Sequence, residues 1–153
     1  MIDDLYSAKI LTLAANMPRA GRLDAPDASS EKVSKLCGSR VTVDVVMDGD
    51  RVADFAQDVQ ACALGQASAA VLGAGVIGAT QAEIDEARAA LYTMLKTGGP
   101  APQGRFSDLA MLAPVKDYPP RHASTMLAFE AAAEAVRDAI AGKGARTSAA
   151  GAA

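Results

Sequence analysis

The sequence predicts an α+β fold in which helices cover one face of a small antiparallel β-sheet. Residues 41–47 place β-branched valines at alternate positions, and residues 51–58 return after a short turn with Val52 and Phe55, which is typical of a hairpin. The regions before and after this hairpin have helical periodicity. Half of the 153 residues are hydrophobic, so one domain of this length can bury a core.

The first half of the chain is predicted to form a helix followed by the hairpin. Residues 3–16 space their leucine and isoleucine side chains as an amphipathic helix does. A loop rich in Pro, Gly, Asp and Ser follows. The two strands are then joined by the turn sequence "DGD". The segment "EKVSKL", which precedes the hairpin, is compatible with a short edge strand.

The second half is predicted to be helical. "CALGQASAAVLGAGVIG" is small and apolar almost all round, so we expect a buried helix that ends near Gly78. Thr80 and Glu83 form a capping box for the next helix, and a double glycine ends it. A short helix capped by Ser107 follows, and then a connector whose adjacent prolines should end any helix. A long alanine-rich helix completes the domain, predicted over residues 1–141, and 142–153 are predicted to be a flexible tail.

Charge and hydropathy exclude several classes of partner. The net charge is −3, whereas nucleic-acid binding needs a basic surface, so no nucleic-acid partner is expected. No apolar stretch is long enough for a membrane span. The opening "MIDDLYSAKILTLAAN" carries two aspartates in place of a basic region, which indicates no secretory signal and a cytoplasmic protein. In that compartment the two cysteines should be buried hydrophobes, metal ligands or reactive thiols, not a structural disulfide.

Those cysteines occupy matching positions on the predicted hairpin. Cys37 precedes the first strand and Cys62 follows the second, so both should lie at the open end of the hairpin. His122, the one histidine, would be a third donor for zinc or for an iron–sulfur cluster. Spacing alone leaves an alternative open, in which both cysteines are simply buried and the histidine lies at the surface.

Five motifs link the chain to a known family. "LYSAKIL", "NMPRAGRL", "LCGS", "FAQDVQACALGQASAAVL" and "DLAMLAPVKDYPPRHASTMLAFEA" follow one another along nearly the whole chain. In this order they resemble the motifs of the U-type iron–sulfur cluster assembly scaffolds, the NifU-like family that includes IscU and SufU proteins. The resemblance implies the SufE/NifU-like form of the α+β fold.

The resemblance also implies a ligand set, which this chain keeps only in part. The first and second cysteine ligands of the family fall on Cys37 and Cys62. The aspartate ligand falls on Ser39 and the third cysteine on Ser124, and serine is a poor ligand for iron. His122 is therefore the expected substitute ligand.

Two neighbouring residues complete the comparison of ligands. Some family members carry a histidine just before the third cysteine, and that position is Ala123 here. Asp58 is a further oxygen candidate for a metal, although a solvated aspartate at a strand end is the simpler interpretation.

The function implied by the resemblance is assembly or carriage of an iron–sulfur cluster, without enzymatic activity in the strict sense. Sulfur would come from a cysteine desulfurase, and the cluster would pass to recipient apo-proteins. One alternative is a zinc-bound sulfur acceptor that partners the desulfurase, with Cys62 as nucleophile. Another is a metal-free docking module that regulates the assembly machinery.

Overall fold

Three antiparallel strands and the helices around them form the α+β architecture of the computed structural model, which describes residues 8–35 and 38–142. In chain order the elements are α1 (Ala8–Ala15), β1 (Ala28–Ser34), β2 (Ser39–Asp48), β3 (Arg51–Gln60), α2 (Ala63–Gly75), α3 (Gln81–Thr97), two 3₁₀ segments (Gly104–Asp117 and Pro119–Arg121) and α4 (His122–Ile140). The predicted fold class is thereby confirmed.

The predicted hairpin is formed by β2 and β3, and both strands are longer than the sequence pattern indicated. The sheet has the order β1-β2-β3, and Val45 lies opposite Ala28 on one side and Phe55 on the other. Val41, Val43 and Val45 are completely buried, because alternate residues of a strand face the same side. The edge strand also forms, and it begins at Ala28, earlier than "EKVSKL" suggested.

The core lies between this sheet and the helices. Helix α4 packs on β1 and β2, and α2 packs on β3 and α1. Phe106 and Phe129 meet edge to face at a centroid distance of 5.4 Å, which joins the first 3₁₀ segment to α4. Among the described residues, no helix is both long enough and apolar enough to cross a bilayer.

A buried carboxylate attaches the first loop to the outer face of the sheet. Asp44 is fully buried and accepts hydrogen bonds from Arg22 Nε at 2.7 Å and from the Leu23 amide at 3.0 Å. Ser29 Oγ donates a further hydrogen bond to it. Burial alone would raise the pKa of Asp44, but these donors outweigh burial and hold the pKa below its usual value.

Helix ends were predicted correctly where the signal is local. Thr80 and Glu83 form the expected capping box of α3, with Thr80 Oγ1 accepting from the Glu83 amide at 3.2 Å. Gly98, at φ 77°, ends α3 in the left-handed conformation that glycine tolerates. Helix α2, in contrast, stops at Gly75, before the predicted end near Gly78, and Arg105 caps it by donating to the Gly75 and Ile77 carbonyls.

The connector before α4 contains more helical structure than predicted. Ser107 is not the N-cap of the first 3₁₀ segment, which is Gln103; a kink at Phe106 divides this segment, and Ser107 is the first residue after the kink. The first 3₁₀ segment does end before the adjacent prolines, at Asp117, as predicted. Pro119 starts the second 3₁₀ segment, which leads directly into α4 at His122, since a first-turn proline lacks only an N–H that has no intrahelical partner.

The end of the last helix can be compared with the predicted boundary between the domain and its tail. Helix α4 finishes at Ile140, next to the predicted boundary at residue 141. The predicted tail, apart from Gly142, and the start of the first predicted helix lie outside the described residues.

Candidate functional site

Cys62 lies at the junction of β3 and α2. It is the N-cap of α2, with φ −65° and ψ 172°, and its carbonyl accepts from the Gln66 amide at 2.9 Å. Its side chain makes no capping hydrogen bond, and the thiol is free and half-buried. The sulfur is therefore available for chemistry at a position fixed by two regular elements.

The hairpin register brings the start of β2 to the same end of the sheet as Cys62. Arg40 pairs with Gln60, two residues before Cys62, and buried Ser39 begins β2. Cys37 lies outside the described residues, so its approach to Cys62 stays a prediction.

Ser124 faces Cys62 from the first turn of α4. Cys62 Sγ lies 3.5 Å from Ser124 Oγ, and either atom can be the donor. Ser124 is buried, and its hydroxyl also donates to the Arg121 carbonyl at 3.2 Å. The N-cap of α4 is Arg121, so Ser124 lies within the first turn of the helix.

A glycine permits this close approach of α2 and α4. A Cβ atom added to Gly65 would lie 3.0 Å from the Ser124 carbonyl oxygen and 2.8 Å from Ala61 Cβ. Both distances are shorter than side-chain contacts in well-packed proteins, so a larger residue would push the helices apart. Gly65 therefore helps to set the distance between Cys62 and Ser124.

His122 is buried, which makes the alternative of a surface histidine wrong. Its Nε2 lies 2.8 Å from the Val115 carbonyl oxygen and 3.1 Å from that of Lys116. Its Nδ1 lies 3.1 Å from Lys96 Nζ. Both ring nitrogens thus have partners within the chain.

His122 and Ser124 point to different sides of α4. Residues two apart on an α-helix diverge by about 200° around its axis. Accordingly, Ser124 meets Cys62, whereas His122 meets the 3₁₀ segment and α3. Ligation by His122 beside Cys62 stays a prediction, and it would require the ring to leave its present partners.

Within residues 8–35 and 38–142, no three His, Cys, Asp or Glu side chains lie close enough together to hold a metal ion. Cys37, which belongs to the predicted ligand set, is not among these residues. Asp58 is exposed on β3, opposite Thr42 in the register of the hairpin.

An open groove lies beside His122, between α3 and α4. Its volume is about 310 Å³, and Tyr92, Lys96 and Glu130 line it along with apolar side chains. The Lys96 ammonium lies 5.8 Å from the centre of the Tyr92 ring. Burial raises the pKa of Glu130, and the nearby charges of Lys32 and Arg88 offset this only in part.

Sequence reasoning missed Lys96 and Gly65. Lys96 lies in the last turn of α3, where a basic residue is common for reasons of helix polarity, so nothing local marks it as a partner of His122. Gly65 lies three residues after Cys62 in a helix rich in small residues. A glycine inside such a helix was a usable signal of close helix packing.

The chain matches known proteins over most of its length. The model of the family described as NifU-like N terminal domain matches residues 5–140. The crystal structure of a nitrogen-fixing NifU-like protein (N-terminal) from Brucella abortus is 54% identical, covers 92% of this chain and 96% of its own, and superposes with a TM-score of 0.88.

Two curated relatives carry the name iron-sulfur cluster assembly scaffold protein IscU. The protein from Thermotoga maritima is 26% identical over 137 residues, which cover 87% of this chain and 93% of the relative. The protein from Streptococcus pyogenes serotype M1 is also 26% identical over 137 residues, which cover 89% of this chain and 85% of the relative. With a family match that spans nearly the whole chain and agreement in fold, this chain belongs to the family of NifU-like N-terminal domains.

Proposed function

We propose that this protein is an iron–sulfur cluster assembly scaffold or carrier, which holds iron or a cluster as cargo through Cys37 and Cys62. The names of the curated relatives support this function. The observation that carries it is the position of the Cys62 thiol, which lies 3.5 Å from Ser124 Oγ. The family resemblance assigns cysteine ligands to both of these positions.

The donor set of this chain fits a loosely held cargo. Iron–sulfur clusters are held mainly by cysteine thiolates, usually four. The sequence contains two cysteines, and serine hydroxyls replace the other two expected ligands at Ser39 and Ser124. The remaining coordination positions would be completed by a partner protein or a small thiol. A cargo bound in this way should be released readily, which suits a carrier.

The proposed partners follow from the same chemistry. A scaffold needs a source of sulfur, for which we propose a cysteine desulfurase, and recipient apo-proteins that take the finished cluster. The half-buried Cys62 is reachable from solvent at the junction of β3 and α2, where a partner could approach it.

Anaerobic reconstitution tests this function. Wild type, Cys62→Ala and Ser124→Ala would be incubated with ferrous iron, sulfide and glutathione, desalted, and analysed for iron, acid-labile sulfide and visible absorption. We expect wild type and Ser124→Ala to retain a cluster and Cys62→Ala to lose it, because the serine hydroxyl is a weak ligand and the thiolate a strong one. Equal, weak colour in wild type and Cys62→Ala would refute the proposal.

A second candidate is a zinc-bound sulfur acceptor, which the free, half-buried Cys62 thiol favours. In this case Cys62 would attack the terminal sulfur of a desulfurase persulfide and take it, releasing the desulfurase thiolate. Intact mass spectrometry after incubation with a desulfurase and cysteine should then show one added sulfur atom, absent from Cys62→Ala. Metal analysis of the purified protein separates iron with sulfide, zinc, and the metal-free docking module.

A further inference from the structure

The histidine of this chain is engaged at every hydrogen-bonding position of its ring. His122 Nε2 lies 2.8 Å from the Val115 carbonyl oxygen and 3.1 Å from that of Lys116. Lys96 Nζ lies 3.1 Å from Nδ1 on the other side of the ring. The residue is 4% exposed, so water cannot easily take over these roles.

These partners define which ring nitrogen carries the proton. Carbonyl oxygens only accept hydrogen bonds, so Nε2 must carry the hydrogen that points at Val115 and Lys116. An ammonium group only donates, so Nδ1 must present its lone pair to Lys96. The ring is therefore held as the neutral Nε2–H tautomer.

The same contacts join three elements at the beginning of α4. Val115 and Lys116 belong to the end of the first 3₁₀ segment, Lys96 to the last turn of α3, and His122 is the first residue of α4. The N-cap of α4, Arg121, makes no side-chain capping hydrogen bond. The imidazole ring thus anchors a helix start that lacks a side-chain cap of its own.

From this arrangement we infer that His122 is a positioning residue, which fixes the first turn of α4 and thereby holds Ser124 against the Cys62 thiol. It acts from the opposite side of the helix and does not ligate the cargo. The positioning role stands on the contacts of the ring alone. The statement about ligation rests on the proposed function, since it concerns the cargo proposed above.

The lone pair of Nδ1 is the one site on the ring where a metal could bind without removing a proton. It points at Lys96, into the groove between α3 and α4, whereas Cys62 meets Ser124 on the other side of α4. Binding at Nε2 would remove the hydrogen and leave two carbonyl oxygens without their donor. Neither nitrogen is available to a metal held by Cys62.

The single histidine makes a direct test possible by NMR. In ¹⁵N-labelled protein, two-bond ¹H–¹⁵N correlations of the imidazole report the tautomer and any metal bond. We expect the Nε2–H pattern in metal-free wild type, and the same pattern after reconstitution with iron and sulfide or after addition of zinc ions, with metal content measured on the same sample. The other tautomer in metal-free protein, or a ring nitrogen shifted by bound metal, would overturn the inference.

The reactivity of the Cys62 thiol tests whether His122 positions Ser124 against it, separately from any effect of His122 on folding. In a Cys37→Ser background Cys62 is the sole thiol, and its alkylation rate by iodoacetamide reports the surroundings of its sulfur. We expect His122→Leu to change this rate several-fold and His122→Gln to restore much of it, because the glutamine amide can donate to the Val115 carbonyl. Lys96→Met, which keeps the Nε2 contacts, should have a smaller effect.

Circular dichroism would establish that each variant is folded. If His122→Leu does not fold, His122→Ala, which also removes the donor to the Val115 carbonyl, takes its place in the comparison with the background, and an unchanged rate in folded His122→Ala would refute positioning. An unchanged rate in folded His122→Leu would do the same. If neither wild type nor any variant retains metal, the proposed function is refuted. The tautomer and the alkylation rates would still decide whether His122 is a positioning residue.

Discussion

The Cys62 thiol and the Ser124 hydroxyl face each other at 3.5 Å, one from the N-cap of α2 and the other from the first turn of α4. Ser124 occupies the position at which the family resemblance expects a third cysteine ligand. A hydroxyl oxygen stands there in place of sulfur, within reach of the Cys62 thiol. This position therefore differs from the expected ligand set in its donor atom.

Substituting Ser124→Cys should strengthen cargo retention. The new thiol would lie beside Cys62 with little change in volume, and an additional thiolate is a strong ligand for iron. We expect the reconstituted variant to lose its cluster to a chelator several-fold more slowly than wild type, as followed by visible absorption. Ser107→Cys, which adds a thiol at an exposed 3₁₀ position, is the matched control. Equal rates for Ser124→Cys and wild type would mean that this position does not contact the cargo, and adding Ser39→Asp would then test the remaining ligand position.

Gly65→Ala tests the close approach of α2 and α4, because helix propensity and steric overlap predict opposite changes in the free energy of unfolding. Helix propensity alone would favour alanine by about 1 kcal/mol. The added Cβ would lie 3.0 Å from the Ser124 carbonyl oxygen, so we expect a net destabilisation of about 1–3 kcal/mol instead. Urea denaturation measures it, and Ala74→Gly at an exposed position of the same helix calibrates the propensity term. A more stable Gly65→Ala protein would show that α2 and α4 can accommodate the added methyl group without moving apart.

Asp44→Asn should weaken the attachment of the first loop. The carboxylate is fully buried and accepts from Arg22, Leu23 and Ser29, and an amide can satisfy fewer of these donors. We expect a loss of about 1–3 kcal/mol near neutral pH, measured by urea denaturation. The exposed Asp108→Asn is the control, and it should change stability by less than about 0.5 kcal/mol.

The pH dependence of the same variant has a definite sign. The pKa of Asp44 is lowered in the folded protein, so its contribution to stability is present above the unfolded pKa of about 4 and is lost as the pH falls from there toward the lower folded value. The stability difference between wild type and Asp44→Asn should therefore shrink below pH of about 4. A difference that stays constant down to the acid transition would contradict the assigned ionisation.

Arg105→Met should destabilise the end of α2. The guanidinium donates to the Gly75 carbonyl at 2.9 Å and the Ile77 carbonyl at 3.1 Å, and it pairs with Glu83 at 3.0 Å. Methionine keeps much of the side-chain length but none of these donors, so we expect a loss of about 1–2 kcal/mol in thermal or urea denaturation. Lys9→Met, which removes a positive charge from an exposed position of α1, is the control. If both variants lose the same stability, charge and not capping accounts for the effect.

Local patterns in the sequence predicted much of the fold. Alternating valines define β2 because a strand places every second side chain on the same face, and Thr80 with Glu83 marks the start of α3 because a capping box is complete within four residues. The 3₁₀ turn Pro119–Arg121 was harder to predict, since proline breaks a helix in its interior but is well placed in a first turn. The burial of Asp44 was also missed, because Arg22 reaches it across 22 positions of sequence.

The part of the candidate site that could be predicted is Cys62, because it lies at the boundary between a strand and a helix. Cys62 lies two residues beyond the end of β3, so the hairpin alone locates it. The environment of His122 could not be predicted, because Lys96 is 26 residues away in sequence and the Val115 carbonyl is a backbone group. Such contacts arise from the packing of α3, α4 and the 3₁₀ segment, for which the sequence has no periodic signal.

The two prolines before α4 bear on the thermodynamics of cargo binding. Pro119 and Pro120 each fix one backbone torsion angle, and the 3₁₀ turn that they form runs without interruption into the helix that carries Ser124. Restricting a chain in its bound conformation lowers the conformational entropy that binding must remove. The first turn of α4, with Ser124, is therefore preorganised, and if the proposed cargo binds beside it, this turn should add only a small entropic penalty to binding.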